Sequence, residues 1–233
     1  MNSLNQLIEE GLKFQKQGQL TKAENKYQEV LELQPNFADA YHLLALIEYQ
    51  KSNLHSSVCL LEHAIRLDPN QAHYHNSLAN VLQDLGKIHS AIEHYTLAIS
   101  YKKSPEFINN LGTAKKALGQ FSQALDLFRL AIQFNPVYAE AYYNIGNLLR
   151  EQIELESALL HYRKAISCKP NFLEAWLHRA ETEQALNLFT DAYHSYINVL
   201  KFEPNNYYAQ KKVNQLTAII QQKGASVGLP PAR

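Results

Sequence analysis

Six of the eight prolines recur along the chain at nearly equal spacing. They are separated by 34, 36, 31, 34 and 34 residues, at Pro35, Pro69, Pro105, Pro136, Pro170 and Pro204. A fixed interval of this length is typical of an array of repeated units, in which each unit packs mainly on its neighbours. We therefore expect this chain to display an extended surface, and its function to reside there rather than in a catalytic pocket.

Each interval holds two apolar patterns with helical spacing. In residues 139–172 (AEAYYNIGNLLREQIELESALLHYRKAISCKPNF) the patterns cover about 139–152 and about 156–168. A break near Ile153 separates them, and Pro170, which would disrupt a helix interior, follows the second. Isolated helices this short are marginal in water. The interval therefore predicts a helical hairpin that is stable only when it packs on neighbouring hairpins.

Small and aromatic residues occupy matching places in successive intervals. Gly or Ala stands in the first helix, an alanine begins the second, and an aromatic residue follows it at Tyr27, Tyr95, Phe128, Tyr162 and Tyr196. Small residues let two helices approach closely, and the rings fill the groove between neighbouring repeats. The pattern resembles the tetratricopeptide repeat, a helical hairpin of about 34 residues. The resemblance covers residues 4–206 and implies an all-α, right-handed solenoid.

Six repeats follow from this register: 4–37, 38–71, 72–104, 105–138, 139–172 and 173–206. A further helical pattern over 207–223 places Val213, Leu216 and Ile220 on one face, as a helix that caps an array would. Residues 224–233 contain Gly and Pro with little to bury, which predicts a disordered tail.

The turn inside each hairpin carries different residues. Three repeats have Gly18, Gly86 or Gly119 there, where a left-handed backbone is useful. The other three have Ser52, Ile153 or Asn187. Because the left-handed conformation costs a residue such as isoleucine about 1 kcal/mol or more, we expect the turn at Ile153 to differ.

Composition excludes several classes of protein. Lys+Arg and Asp+Glu are both 22, so the formal charge is zero, which disfavours nucleic acid as a partner. The two cysteines, Cys59 and Cys168, are no disulfide framework and suit a reducing compartment, so we expect a cytoplasmic protein. The N-terminal residues lack the apolar stretch of a signal peptide, and no run is long enough to span a membrane.

Known catalytic and metal-binding motifs are missing from the sequence. There is no HExxH, no cysteine pair with zinc spacing, no GxSxG and no glycine-rich phosphate loop. The ten histidines are scattered, and His73 and His75 do not share a helix face. We expect no enzymatic activity, no metal and no cofactor.

Asparagines concentrate where the resemblance places the inner surface. In the tetratricopeptide family, first helices line a concave groove that binds peptide segments. An asparagine costs roughly half a kcal/mol of helix propensity relative to alanine, yet its amide can both donate to and accept from a peptide backbone. We predict a protein or peptide partner in this groove and contacts from Asn76, Asn80, Asn110, Tyr143, Asn144, Asn147 and Arg150. Tyr143 would act as an apolar platform and Arg150 as an anion contact.

Other functions remain open at this point. The sequence pattern of residues 4–206 is also similar to that of the N-terminal repeats of bacterial O-linked N-acetylglucosamine transferase-like proteins. This resemblance implies a non-catalytic substrate-recognition module. A carboxylate clamp for chaperone tails is disfavoured, because the expected cations are replaced by Asn76 and Asn109 and acidic Glu106 and Glu140 lie nearby. Self-association through the terminal helices is a third hypothesis, which exposure of Val213 and Ile220 would support. The hypothesis of RNA binding is disfavoured because the formal net charge of the chain is zero.

Overall fold

The computed structural model describes residues 3–226 of the chain. Over this range it shows thirteen α-helices and no strand, which confirms the all-α prediction. The chain divides into two compact units, Met1–Gln120 and Phe121–Arg233, here called the N-terminal and C-terminal units.

Helices that are consecutive in the chain pack against each other within each unit. The N-terminal unit contains α1 (Leu4–Lys16), α2 (Leu20–Leu33), α3 (Ala38–Gln50), α4 (Leu54–Leu67), α5 (Ala72–Asp84), α6 (Ile88–Tyr101) and α7 (Pro105–Ala117). The C-terminal unit contains α8 (Phe121–Phe134), α9 (Ala139–Glu151), α10 (Leu155–Cys168), α11 (Leu173–Ala185), α12 (Phe189–Phe202) and α13 (Tyr207–Ser226). Odd-numbered helices up to α11 are the first helices of the predicted repeats.

The core of each unit lies between paired helices. The recurring alanines and tyrosines of the second helices, such as Ala91 and Tyr95 or Ala158 and Tyr162, have almost no exposed surface. An alanine adds little bulk, so the helix axes can approach while the tyrosine ring fills the remaining space. The same alternation of small and large side chains therefore produces a similar core in the hairpins that contain α6 and α10.

A recurring hydrogen bond attaches the loop between repeats to the helix that follows. In five loops the fourth residue of that helix donates from its side chain to the carbonyl of the proline six residues earlier. The pairs are Tyr41 with Pro35 (3.0 Å), His75 with Pro69 (2.9 Å), Tyr142 with Pro136 (3.2 Å), Trp176 with Pro170 (2.9 Å) and Gln210 with Pro204 (2.7 Å). Four different residue types thus satisfy the same backbone acceptor.

The turn at Ile153 does not differ from the glycine turns, so that expectation was wrong. Its φ is 65°, close to the 74° of Gly86. The Ile153 amide donates to the Arg150 carbonyl (3.0 Å) and the next amide donates to the Leu149 carbonyl (2.9 Å), as in the Gly86 turn. Packing of α9 on α10 and these bonds outweigh the local preference of isoleucine, whose side chain is 80% exposed.

Helix α13 packs on α12 and covers the last hydrophobic cluster. Leu216 is fully buried there, and Val213 and Ile220 pack against the same cluster. Both side chains are half-buried, so self-association through this helix stays a prediction. The helix continues to Ser226, past the boundary expected at residue 223, and residues 227–233 of the expected tail lie outside the described range.

Candidate functional site

Three of the predicted asparagines form one cluster in the N-terminal unit. The Asn110 amide nitrogen on α7 donates to the side-chain oxygen of Asn76 on α5 (3.1 Å) and lies 3.4 Å from that of Asn80. Asn76 is buried, while Asn80 and Asn110 are half-buried. This amide cluster (Asn76, Asn80 and Asn110) joins two neighbouring first helices, and its members hold one another in position.

Asn80 also has a structural contact beneath the cluster. The hydroxyl of buried Tyr95 donates to the Asn80 side-chain oxygen (2.6 Å) and lies 3.3 Å from the oxygen of Gln83. Burial raises the pKa of the Tyr95 hydroxyl, so it stays a neutral donor. Removing the Asn80 amide would therefore disturb the core as well as the surface.

The other candidates lie in the C-terminal unit, around α9 and α11. The Asn147 oxygen accepts from the Tyr162 hydroxyl (2.9 Å) and from Nδ1 of His178 (2.7 Å). The Tyr143 ring stacks on the His178 ring with centroids 5.3 Å apart and also meets Phe172 at 4.9 Å. Tyr143 therefore forms part of a packed aromatic group.

Arg150 is held by a carboxylate of the next first helix. Its guanidinium lies 2.8 Å from Glu181, and the Tyr208 hydroxyl donates to the other oxygen of Glu181 (3.0 Å). An incoming anion would have to compete with Glu181 for the guanidinium. Asn144 lies half-buried on the same helix as Arg150.

Histidines and acidic residues outside the seven predicted contacts also form polar contacts between first helices. His42 is buried on α3, and its Nε2 lies 2.9 Å from the hydroxyl of Ser77 on α5. Burial lowers the pKa of His42 to about 4, with a smaller effect from His73, so the imidazole is a weak base and does not activate Ser77 at neutral pH. A spacing of about one repeat, as between Asn147 and His178 or Arg150 and Glu181, is the signal that could have found such pairs.

A surface depression in the N-terminal unit lies apart from the predicted contacts. A depression of about 480 Å³ is lined by Leu44, Cys59, Leu60 and neighbouring polar residues, and it contains none of the seven candidates. Among the residues described, no group of three or more His, Cys, Asp or Glu side chains could hold a metal ion. Nor is any helix within residues 3–226 long and apolar enough to cross a membrane.

Relatives of known sequence match this chain over repeat segments. A UDP-N-acetylglucosamine–peptide N-acetylglucosaminyltransferase of Giardia intestinalis is 35% identical over 74 residues, which is 32% of this chain and 5% of that protein. The chain spans at most about a third of the length of the first curated relatives that it matches (32%, 5% and 33%).

Solved structures show the same fold at low sequence identity. PilW, described as a widely conserved type IV pilus biogenesis factor, is 16% identical with a TM-score of 0.79, covering 91% of this chain and 99% of that chain. YrrB, described as a TPR protein with an unusual peptide-binding site, is 19% identical with a TM-score of 0.53, covering 79% and 96%.

Family profiles match most of the helical repeats. The profile "TPR repeat" matches residues 11–52 and 112–152, and "Tetratricopeptide repeat" matches residues 38–71, 72–105 and 139–172. Together with the paired helices and the buried alanines and tyrosines, these matches show that the chain belongs to the tetratricopeptide repeat family.

Proposed function

We propose that this protein is a non-catalytic adaptor whose first helices bind an extended segment of a protein partner. The observation that carries the proposal is the amide cluster, which places three asparagine side chains together on α5 and α7. An extended peptide presents unpaired backbone N–H and C=O groups, and amides held in place can pair with both.

The packing of the cluster favours binding without a large entropic penalty. Mutual hydrogen bonds fix the amides before a partner arrives, so fewer rotamers are lost on association. Asn80 and Asn110 keep part of their surface exposed, which leaves room for contacts to a partner. In the C-terminal unit, Tyr143, Asn144, Asn147 and Arg150 would supply a second group of contacts.

The comparisons support a binding role in general terms. YrrB is described as having a peptide-binding site, and this chain shares its fold. Cys59 and Cys168 are both free, which suits the cytoplasmic location that we propose. We propose that the protein works without metal or cofactor, since its contacts are hydrogen bonds and aromatic surface.

The test is affinity capture from lysate with quantitative mass spectrometry. Asn110→Ala is the preferred variant, because it leaves the bond between Tyr95 and Asn80 in place. Asn198→Ala is the matched control: it also removes an amide, but from α12, where that amide donates to the His194 carbonyl. We expect a partner that is recovered by wild type and the control and reduced at least tenfold by Asn110→Ala.

Equal recovery by all three proteins would contradict the proposal. The surface formed by the second helices would then be the place to search. Thermal unfolding of each protein, followed by circular dichroism, must show that Asn110→Ala is folded at the capture temperature.

A second candidate function is substrate recognition for a glycosyltransferase. The specific observation in its favour is the 35% identity to a segment of the Giardia transferase. In that case the captured proteins would include a glycosyltransferase or proteins that carry its sugar, and Asn110→Ala would reduce their glycosylation. Capture of partners without either would exclude this alternative.

A further inference from the structure

Two histidines of the third predicted repeat lie in contact, next to the loop that joins this repeat to the second. Nδ1 of His75 on α5 lies 3.0 Å from Nδ1 of His94 on α6, and the two ring planes are inclined by 23° with centroids 5.3 Å apart. His75 is 4% exposed, and its other nitrogen, Nε2, lies 2.9 Å from the carbonyl of Pro69. Both ring nitrogens of His75 are therefore engaged.

The contacts determine where the protons must lie. A carbonyl only accepts, so His75 carries its proton on Nε2 and offers a lone pair at Nδ1. His94 must then carry a proton on Nδ1 to donate to that lone pair. A first added proton can enter at Nε2 of His94 and leave this bond intact. A second proton, on Nδ1 of His75, would set two N–H groups and two positive charges against each other.

We propose that the His75–His94 pair is a proton-sensitive joint, which holds the loop 68–71 to α5 at neutral pH and opens when both rings are protonated. Opening would separate the two rings, and rotation of the His75 ring away from His94 would release its Nε2 from the Pro69 carbonyl. Equivalent places in other repeats hold Tyr41 and Tyr142, which make the same bond to a proline carbonyl without titrating near neutrality. Among the five described loops with a bond to a proline carbonyl, this loop is the one in which a histidine is the donor.

The surroundings of His94 lower its pKa below the ordinary value of histidine. Burial is the main cause that lowers the pKa of His94, and the charge of His75 adds to it. Glu93 on the same helix and Glu62 on α4 act in the opposite direction. The centroid of the Tyr101 ring, on α6, lies 5.6 Å from that of the His75 ring.

The first test uses nitrogen-15 NMR of the histidine rings in the full chain. At pH 7.5 we expect His75 protonated on Nε2 and His94 protonated on Nδ1, which is the less common form of free imidazole. Finding His94 protonated on Nε2 alone at this pH would overturn the proposal.

The second test measures amide hydrogen exchange between pH 7.5 and 4.5, corrected for the intrinsic effect of pH. The Tyr74 amide, which donates to the Gln71 carbonyl, reports on the loop. We expect its protection to fall at least tenfold more in wild type than in His75→Tyr, which keeps a donor for Pro69. His94→Leu, with the residue that occupies the equivalent place at Leu60 and Leu127, should also lose the acid response. Equal acid responses in wild type and His75→Tyr would refute the joint, and the ring spectra of wild type decide the question if a variant does not fold.

Discussion

Single tyrosine hydroxyls connect the two helices of several hairpins. Tyr27 donates to Gln15 (3.0 Å) and Tyr196 donates to Gln184 (2.9 Å), so the same spacing of twelve residues recurs in the first and last predicted repeats. Burial raises the pKa of Tyr27 to about 12, which keeps the hydroxyl protonated at any physiological pH. The ring thus fills the core while its hydroxyl satisfies a polar side chain of the first helix.

Replacing Ile153 should stabilise the protein. Its left-handed backbone (φ 65°) is unfavourable for a branched residue, and its side chain is 80% exposed, so little packing is lost on removal. We expect Ile153→Gly to raise the free energy of unfolding by about 1 kcal/mol, measured by urea denaturation. Gly86→Ala is the reciprocal control: a Cβ there meets no atom within 4 Å, so a loss of similar size would isolate the backbone effect. A destabilised Ile153→Gly would show that the isoleucine makes a favourable contact.

Burial of His42 predicts a loss of stability in acid. The folded protein lowers the pKa of His42 from 6.5 to about 4, so between these values the unfolded chain binds a proton that the folded chain does not. The free energy of unfolding is therefore unaffected by this group above pH 6.5. It falls by up to about 3 kcal/mol as the pH is lowered towards 4. We expect His42→Asn, which carries the residue found at the equivalent Asn76 and Asn109, to show a shallower fall of unfolding free energy between pH 6.5 and 4.5. An identical slope in both proteins would contradict the burial argument.

At the scale of whole elements, loops are tied to helices by bonds that do not depend on one residue type. Tyrosine, histidine, tryptophan and glutamine all donate to a proline carbonyl from the fourth position of a first helix or of α13. Proline cannot donate through its own nitrogen, but its carbonyl remains an acceptor that needs a partner. The loop before α7, which is shorter, instead places Pro105 in the first turn of the helix.

Removal of one loop bond should cost a modest amount of stability. Tyr41→Phe deletes the hydroxyl that donates to Pro35 (3.0 Å) and preserves the ring. We expect the free energy of unfolding to fall by about 0.5 to 1 kcal/mol, because the contact is exposed to water. Tyr207→Phe is the control, since this side chain is 77% exposed, and it should leave the value unchanged. An unaltered Tyr41→Phe would mean that water replaces the bond at no cost.

At the scale of the whole molecule, each compact unit has hydrophobic clusters of its own. In the C-terminal unit one cluster surrounds Tyr196 and Leu216, and another surrounds Phe172 and Ala175. The helices that form these clusters are short and would be marginal in isolation, so each depends on packing against its neighbours. Stability therefore comes from packing between neighbours along each unit, and a single disrupted contact affects the unit that contains it.

Charge at a buried alanine should unfold the unit. Ala158 on α10 is fully buried, so Ala158→Arg would place an unpaired cation in a helix–helix contact. We expect a loss of at least about 3 kcal/mol, seen as reduced helicity by circular dichroism and a lower thermal midpoint. Leu160→Arg, on the same helix at a side chain that is 60% exposed, should change the free energy of unfolding by no more than about 0.5 kcal/mol. A stable Ala158→Arg would contradict the repeat register.

The spacing of prolines, alanines and tyrosines in the sequence was enough to predict an all-α repeat protein, because each residue type has a local physical role that recurs. It was not enough to predict how side chains from different repeats pair. The bonds of Asn110 to Asn76, of His178 to Asn147 and of Arg150 to Glu181 join residues about one repeat apart, and only the packed helices bring them together. Ile153 is the clearest case: its own preference opposes the left-handed turn, and the packing of α9 on α10 decides the backbone conformation.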